Sequence, residues 1–388
     1  MKLMVANDIG NSETKMIVNK GQIFRQPSII KTLLTLPTAV ETDVKKNIAN
    51  LLDELVVSIS SKSIRTSGAY AIGNKANGLG GTVENMNIRL GNKHLHDIPV
   101  IMTLSLLAAK AVQMDFEENQ KLSTNLSVNV KMSTAIPASE YKPDNAKLLE
   151  QRFTGAGENR EHVVSVYVGN EIVQVIINFN EVKVTQEGNP AIYTIGSGEQ
   201  DILRLYNEQY KKSATPKEFR NKKVFHSDIG DGTTEYIYTI GANPKNDAST
   251  GERRGVGHAT EEALKLFTEQ LGVTINYNRH RFMNVLRDTN HNFHNEAIKC
   301  MDLAKQLQSR LIFEDIKDKY LDKTSGDVEL FTVYGGGSIQ FKEALYEDLI
   351  QFAESVNAEV LWIPEEYAVD LNVRGLQVLN ENVFFKKG

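Results

Sequence analysis

The sequence predicts an α/β protein built from two related halves, and three observations carry that prediction. An apolar strand, an Asp-x-Gly turn and a second β-rich strand occur twice, about 220 residues apart. Strand-like runs alternate with helix-like runs along the rest of the chain, the order that builds a mostly parallel sheet covered by helices. The 388 residues exceed one ordinary core and suit roughly two to three domains.

The first copy runs from residues 3–6 through Asp8-Ile9-Gly10-Asn11-Ser12-Glu13-Thr14-Lys15 into Met16-Ile17-Val18. The second runs from Lys223-Val224-Phe225 through Asp228-Ile229-Gly230-Asp231-Gly232-Thr233-Thr234 into Tyr236-Ile237-Tyr238. Each reads as a β-hairpin with a glycine-rich tip. A polar segment, 35–96, with few strong strands and the loop-like Gly78-Leu79-Gly80-Gly81, interrupts the first half as an inserted subdomain would. The apolar run 98–114 reads as a buried helix capped by Asp97. It carries Lys110 and Gln113 and falls short of the roughly 20 residues a membrane span needs. Residues 126–132 read as a strand ending in Ala135-Ile136-Pro137, 140–153 as a helix, and 163–167, 172–177 and 182–185 as successive strands. A hinge is expected between Gly198 and Lys222, where a polar helix and Pro216 separate the halves. Helices follow at 260–271, 296–317 and 341–356, with a strand at 330–333. The expected domains are 1–200, with its inserted subdomain at about 30–97, and 201–388.

With 41% hydrophobic and 24% charged residues the chain can bury large cores, and a formal charge of −5 gives no global reason to cling to nucleic acid. Arg253-Arg254 is too short for a DNA-binding patch. The single cysteine, Cys300, lies in the helical run 296–311 and reads as a buried thiol rather than a nucleophile. Lys2-Leu3-Met4-Val5-Ala6 passes at once into turn residues rather than an apolar signal core, so a cytoplasmic location is expected.

A strand that ends in aspartate and turns through glycine sets a carboxylate beside several free backbone N–H groups, which suits a hydrated magnesium ion and a phosphate. One Asp-x-Gly is ordinarily just a turn. Two of them, each after a strand and each followed by hydroxyl residues, suggest a pair that grips a polyphosphate from both sides. Asp8 and Asp228 are the candidate metal ligands; Gly10, Asn11, Ser12 and Thr14, with Gly230, Asp231, Gly232 and Thr233, are the candidate phosphate contacts. Lys15 reads either as a cation for a β- or γ-phosphate or as an exposed strand lysine. A third element, Val333-Tyr334-Gly335-Gly336-Gly337-Ser338, is a strand running into three glycines and a helix, where backbone can approach a ligand closely.

In this order the three elements resemble those of the actin, sugar kinase and Hsp70 superfamily, whose members combine two phosphate loops with a late glycine-rich adenosine loop. The resemblance spans nearly the whole chain. It implies an actin-like fold, two related RNase H-like domains around a nucleotide cleft with inserted subdomains, and it implies ATP or GTP with Mg2+ as ligands. Within the superfamily the chain is most similar to ParM-type plasmid-segregating proteins. Thr134-Ala135-Ile136-Pro137-Ala138-Ser139-Glu140-Tyr141-Lys142 resembles their strand-to-helix segment after the inserted subdomain. Pro364-Glu365-Glu366-Tyr367-Ala368 and Asn372-Val373-Arg374-Gly375-Leu376 resemble their closing helix, which at about 365–380 here would return toward the first domain. In such proteins a polar residue of the first domain positions the water that attacks the γ-phosphate. Glu187, in Val184-Thr185-Gln186-Glu187-Gly188-Asn189-Pro190-Ala191, matches that segment, with Gln186 as rival and a solvated turn carboxylate as the plain alternative. One carboxylate suffices chemically, because phosphoryl transfer through a loose transition state needs positioning more than covalent help. Two departures stand out. Asp231 replaces a small residue and would either repel phosphate or join the magnesium shell, and Glu235 stands where aspartate is common.

The resemblance implies a filament-forming ATPase, or GTPase, that segregates plasmids. The filament would be the motor, and a ParR-like centromere-binding adaptor would join it to plasmid DNA, which the chain itself would meet only indirectly. A small-molecule kinase of the same superfamily is the alternative, though it requires a catalytic aspartate in the first domain and the sequence offers none that convinces. An Hsp70-like chaperone would need a peptide-binding domain after Gly375, and a membrane-bound cytoskeletal relative would need more of an amphipathic anchor than Phe384-Phe385-Lys386-Lys387. Residues 68–75 nearly spell a Walker A loop, but Asn74 precedes the lysine and no serine or threonine follows. His280, His291 and His294 sit among asparagines without cysteine or carboxylate partners and read as surface polarity rather than metal ligands. Gly255-Val256-Gly257-His258 reads equally as a base contact and as a helix-entry loop.

Overall fold

Each hairpin marked by the sequence opens a sheet of its own. The computed structural model describes residues 1–388 apart from 39–40, 80, 87–90, 156–160, 197–199, 242, 246–247, 273–276, 278 and 387–388, and apart from the side chains of 200, 219, 220 and 280. Gly80 of the expected glycine loop, Gly198 at the head of the expected hinge, Lys387 and the side chain of His280 therefore lie outside the described residues. The chain forms two compact units, Met1–Pro190 with Asn372–Gly388, and Ala191–Leu371.

The first unit contains β1 (Lys2–Ile9), β2 (Glu13–Val18), β3 (Phe24–Pro27), β4 (Ile29–Leu33), α1 (Val44–Ala49), β5 (Val56–Ser60), β6 (Gly68–Ile72), α2 (Asn74–Gly78), β7 (Glu84–Asn85), α3 (Asp97–Asn119), β8 (Asn125–Ile136), α4 (Pro143–Thr154), β9 (Glu161–Val168) and β10 (Glu171–Gln186). Its sheet has the order β3-β2-β1-β8-β10-β9-β5-β6-β4-β7. The antiparallel hairpin β1–β2 is followed by β8 parallel to β1 and by β10 parallel to β8. Parallel neighbours need a crossover, and α3 lies on the path between β1 and β8. That helix is the one among the described residues long and apolar enough to cross a membrane, and 78% of its apolar window is buried in the fold.

Several expectations change in detail. Residues 35–96 do not stand apart as a strand-poor insertion: β5 pairs with β9, and β6 and β4 continue the same sheet. The near-Walker run 68–75, set aside in the sequence for want of a serine or threonine, is indeed strand β6 followed by the first turn of α2. Asp97 does not cap α3; it lies in the first turn, and its carboxylate accepts from the Arg65 N–H at 2.8 Å and from Arg152 Nη2 at 2.6 Å. The helix expected at 140–153 starts at Pro143, whose fixed φ and missing N–H suit a first helical position. The strands expected at 172–177 and 182–185 are one strand, β10, with a register shift between Phe179 and Glu181. That bulge moves the buried set from odd positions (Val173, Val175, Ile177, Phe179) to even ones (Val182, Val184, Gln186), which reads in sequence as a break.

The second unit contains α5 (Asn189–Gly196), whose first two residues fall in unit one, α6 (Gln200–Tyr210), α7 (Pro216–Asn221), β11 (Lys223–Ile229), β12 (Thr234–Ile240), β13 (Asn243–Pro244), β14 (Thr250–Glu252), α8 (Val256–Leu271), α9 (Arg279–Arg287), α10 (His294–Thr324), β15 (Leu330–Tyr334), α11 (Gly336–Ser355), β16 (Glu359–Trp362) and α12 (Glu365–Ala368). Its sheet, β13-β12-β11-β15-β16, repeats the first five strands of the other in order and direction: an antiparallel hairpin, then two strands parallel to its first. The boundary expected at 200 falls at Pro190, because Ala191, Ile195, Ile202 and Tyr206 pack with Val224, Leu330 and Leu361 of the second sheet.

The closing helix is likewise two pieces. α12 stays in the second unit, where the Gly335 N–H donates to the Ala368 carbonyl. α13 (Leu371–Leu379) belongs from Asn372 onward to the first. There Val373 and Leu376 pack with Ala6 and Ile17, and Asn380 Nδ2 donates to the Val5 carbonyl at 2.9 Å. Gly375 leaves no room for a side chain, since a Cβ there would lie 1.7 Å from the Pro190 carbonyl oxygen.

Arg152 of α4 ties this unit together: its guanidinium donates to the carbonyls of His94, His96 and Ser63 at 2.7–3.0 Å and pairs with Asp97. Burial pulls the guanidinium's pKa down and Asp97 pulls it up; burial prevails. A lysine cannot span four acceptors with one point charge. Arg152→Lys is expected to lower stability by about 2 kcal/mol, read as a lower urea midpoint with an unchanged slope.

Candidate functional site

In the first unit the functional candidates gather at the carboxyl ends of parallel strands, where open α/β sheets place their ligands. Asp8 is the penultimate residue of β1, Glu187 follows the last residue of β10, and β8 runs between the two strands. The β1–β2 register sets Asp8 opposite Lys15 and Ile9 opposite Thr14, and the Lys15 ammonium lies 3.7 Å from the Asp8 carboxylate. Lys15 is thus no exposed strand lysine; its side chain is 13% exposed. The turn needs Gly10, because a Cβ there would lie 2.6 Å from the Glu13 carbonyl oxygen.

The hydroxyl candidates divide. Thr14 is fully buried, and its Oγ1 shares a hydrogen bond with Ser28 Oγ, which donates in turn to the Gly10 carbonyl at 2.7 Å. Thr14 therefore braces the turn from behind through Ser28. Ser12 stands exposed at the tip with Asn11 half-buried beside it.

Glu187 is not a solvated turn carboxylate. Its backbone N–H donates to the Ile136 carbonyl, and its side chain forms an ion pair with Lys93, a residue only 4% exposed. Burial pulls the Lys93 pKa down, but the nearby carboxylates of Glu187, Asp8 and Glu140 together outweigh it and hold the ammonium above the ordinary lysine value. Gln186 points into the interior at 6% exposure, its amide nitrogen without a partner among the described residues.

In the second unit β11 and β12 set Asp228 opposite Glu235 and Ile229 opposite Thr234, and the Gly230 N–H closes the turn on the Thr233 carbonyl at 2.8 Å. The Gly335–Gly337 run packs directly on this turn. A Cβ at Gly335, where φ is +88°, would lie 2.4 Å from the Asp228 carboxylate, and one at Gly337 would lie 2.8 Å from the Gly230 carbonyl oxygen. Gly336 opens α11 in ordinary space, and Ser338 is buried with its hydroxyl donated to the Gly335 carbonyl. The entry to α8 docks on the same turn: the Gly257 N–H donates to the Asp231 carbonyl at 2.8 Å, and His258 Nε2 lies 3.0 Å from the Gly232 carbonyl oxygen. Gly255 fits because a Cβ there would meet the Gly230 and Asp231 carbonyls at 2.6 and 2.4 Å. Gly255-Val256-Gly257-His258 is thus a helix-entry loop that also braces the second turn.

The two departures acquire structural accounts. Asp231 forms an ion pair with Arg279 of α9, which neutralises the carboxylate locally. Glu235 is 2% exposed and faces Gly251 of β14 across the register; a Cβ at Gly251 would lie 2.3 Å from its carboxylate. The bare glycine makes room for the extra methylene.

Sequence reasoning missed Lys93, Arg279 and Ser28. None lies in a motif, and Lys93 and Arg279 meet their partners 94 and 48 residues away; the one signal that could have pointed to Lys93 is the turn-forming Gly91-Asn92 before it. Cys300 is buried with its thiol pKa raised by burial, so it is a poor nucleophile. His291 Nδ1 accepts from the Phe293 N–H two residues on, and His294 Nδ1, at the start of α10, meets the Val285 carbonyl of α9. Among the described residues no three His, Cys, Asp or Glu side chains gather as a metal cluster.

No family model matches the chain, and no curated protein matches it. Solved structures do. The actin-like protein Alp7A is 18% identical, with 98% of this chain and 96% of that one covered at a TM-score of 0.69. A 15-stranded ParM filament from Clostridium botulinum is 17% identical, with 97% and 98% covered at 0.66. An archaeal actin homologue in complex with ADP is 14% identical, with 97% and 98% covered at 0.62. What they share with this chain over nearly its full length is the actin-like fold.

The Gly251–Glu235 fit yields a compensation test. Gly251→Ala is expected to cost about 1–3 kcal/mol through overpacking, and adding Glu235→Asp, which withdraws the carboxylate by one methylene, to recover most of it. Thermal unfolding of the two single variants and the double variant checks this.

Proposed function

We propose that this actin-like chain is a cytoplasmic, nucleotide-dependent, filament-forming ATPase that drives plasmid segregation. The observation that carries the reading is the repeated one: in each sheet, a buried aspartate is the penultimate residue of the strand that opens the hairpin and is followed by a closely packed glycine turn. Asp8, Gly10, Asn11, Ser12 and Lys15 contact the polyphosphate from the first unit. Asp228, Gly230, Gly232 and Thr233 do so from the second, with Gly335–Gly337 receiving the nucleoside. Thr14, Asp231 and Ser338 act behind these contacts, on the geometry described above.

A magnesium ion suits this donor set, which offers single strand-end carboxylates rather than a protein cage, and when bound it would neutralise charge on the phosphates. Asp8 and Asp228 are the residues that would hold it through its waters. Glu187 orients the attacking water. The water oxygen forms a bond to the γ-phosphorus as the bond to the β-bridging oxygen breaks; the electron pair leaves with the nucleoside diphosphate, and Glu187 accepts the water proton before it passes to the released phosphate. Nucleotide binding favours the subunit conformation that assembles, and hydrolysis weakens the contacts. GTP is the alternative nucleotide, and a ParR-like centromere-binding adaptor is the proposed link to plasmid DNA. The filament-forming ParM among the structural neighbours and the ADP bound to the archaeal actin homologue support this reading.

Negative-stain electron microscopy with Mg2+ and ATP, GTP or neither is expected to show filaments only with nucleotide. Phosphate release is expected to fall about 100-fold in Glu187→Ala. Phosphate transfer to sugars or carboxylic acids without filaments would instead identify a small-molecule kinase.

A further inference from the structure

We propose that Lys93 is a positioning residue for hydrolysis: its ammonium fixes the Glu187 carboxylate in the orientation that holds the attacking water. The inference rests on the role given to Glu187 above and concerns how that side chain is aimed.

The loop that carries Lys93 is built to drive one charged head inward. Gly91 and Asn92 both adopt left-handed backbone, with φ of +64° and +62°, so the chain reverses sharply before the short 3₁₀ turn Lys93–Leu95. The Glu140 carboxylate accepts from the Asn92 and Lys93 N–H groups at 2.8 and 2.7 Å. His96 Nε2 meets the Gly91 carbonyl at 2.9 Å, and Arg152 holds the carbonyls of His94 and His96. A surface ion pair would need none of these braces. A buried pair is also a poor device for stability alone, because well-packed apolar residues of similar volume often serve as well. Charge kept at 4% exposure and paired directly with Glu187 has a positional use: it holds that carboxylate in one orientation.

The test uses the full-length chain with Mg2+ and compares wild type, Lys93→Met, Lys93→Arg, Glu187→Ala and the Lys93→Met/Glu187→Ala double variant. Affinity is read with a fluorescent ATP analogue and chemistry by single-turnover phosphate release. Lys93→Met is expected to slow release about tenfold or more while affinity stays within about threefold, and Lys93→Arg to recover part of the rate. In the Glu187→Ala background, Lys93→Met is expected to change the rate no further. Wild-type release from Lys93→Met, an additive double variant, or affinity falling in step with rate would each overturn the inference. Should Lys93→Met not fold, Glu140→Gln tests the same aim through the loop, with slower release at unchanged affinity expected and an unchanged rate overturning it. Wild-type release from Glu187→Ala would instead remove the parent reading of that residue, whatever Lys93 does.

Discussion

A carboxylate held at the carboxyl end of a buried central strand is the constraint on which the rest of this molecule depends. Asp8 and Asp228 are each 7% exposed, and burying a carboxylate costs several kcal/mol unless something offsets it. In the first unit the offset is visible as Lys15, brought opposite by hairpin register. In the second unit Gly335 leaves the room that the Asp228 carboxylate occupies, since a Cβ there would lie 2.4 Å from it. Both aspartates precede a closely packed glycine turn and lie beside a parallel neighbour strand.

Once the strand ends are fixed, the surrounding elements read as braces. Ser28 and Thr14 hold the first turn, while the entries of α8 and α11 press on the second. The segment between β4 and α3 extends the first sheet by pairing β5 with β9, and it ends in the loop that Glu140 and Arg152 clamp onto Lys93. Fold and candidate chemistry are therefore joined through a few polar contacts of long sequence separation rather than through the apolar core.

Much of this was legible beforehand because it is local. The paired hairpins, the helix at 98–114 and the glycine run at the start of α11 are all short-range patterns, and the structure places them where periodicity and turn chemistry put them. What sequence could not supply is non-local. The β10 bulge disguised one strand as two, the strands of the inserted segment reveal their role only through pairing with β9, and Lys93 meets Glu187 across nearly a hundred residues. The same holds for Asp231, whose charge could not be interpreted until Arg279 was found beside it. Trp362 and its strand β16 were missed because a four-residue buried strand carries no periodicity.

Under the proposed function, Asp8 and Asp228 both serve the binding of one nucleotide. Titration calorimetry of ATP with Mg2+ into wild type, Asp8→Asn and Asp228→Asn measures it directly. The account predicts one nucleotide per chain and weaker magnesium-dependent binding in both variants. Two nucleotides per chain, or binding indifferent to one of the aspartates, would contradict it.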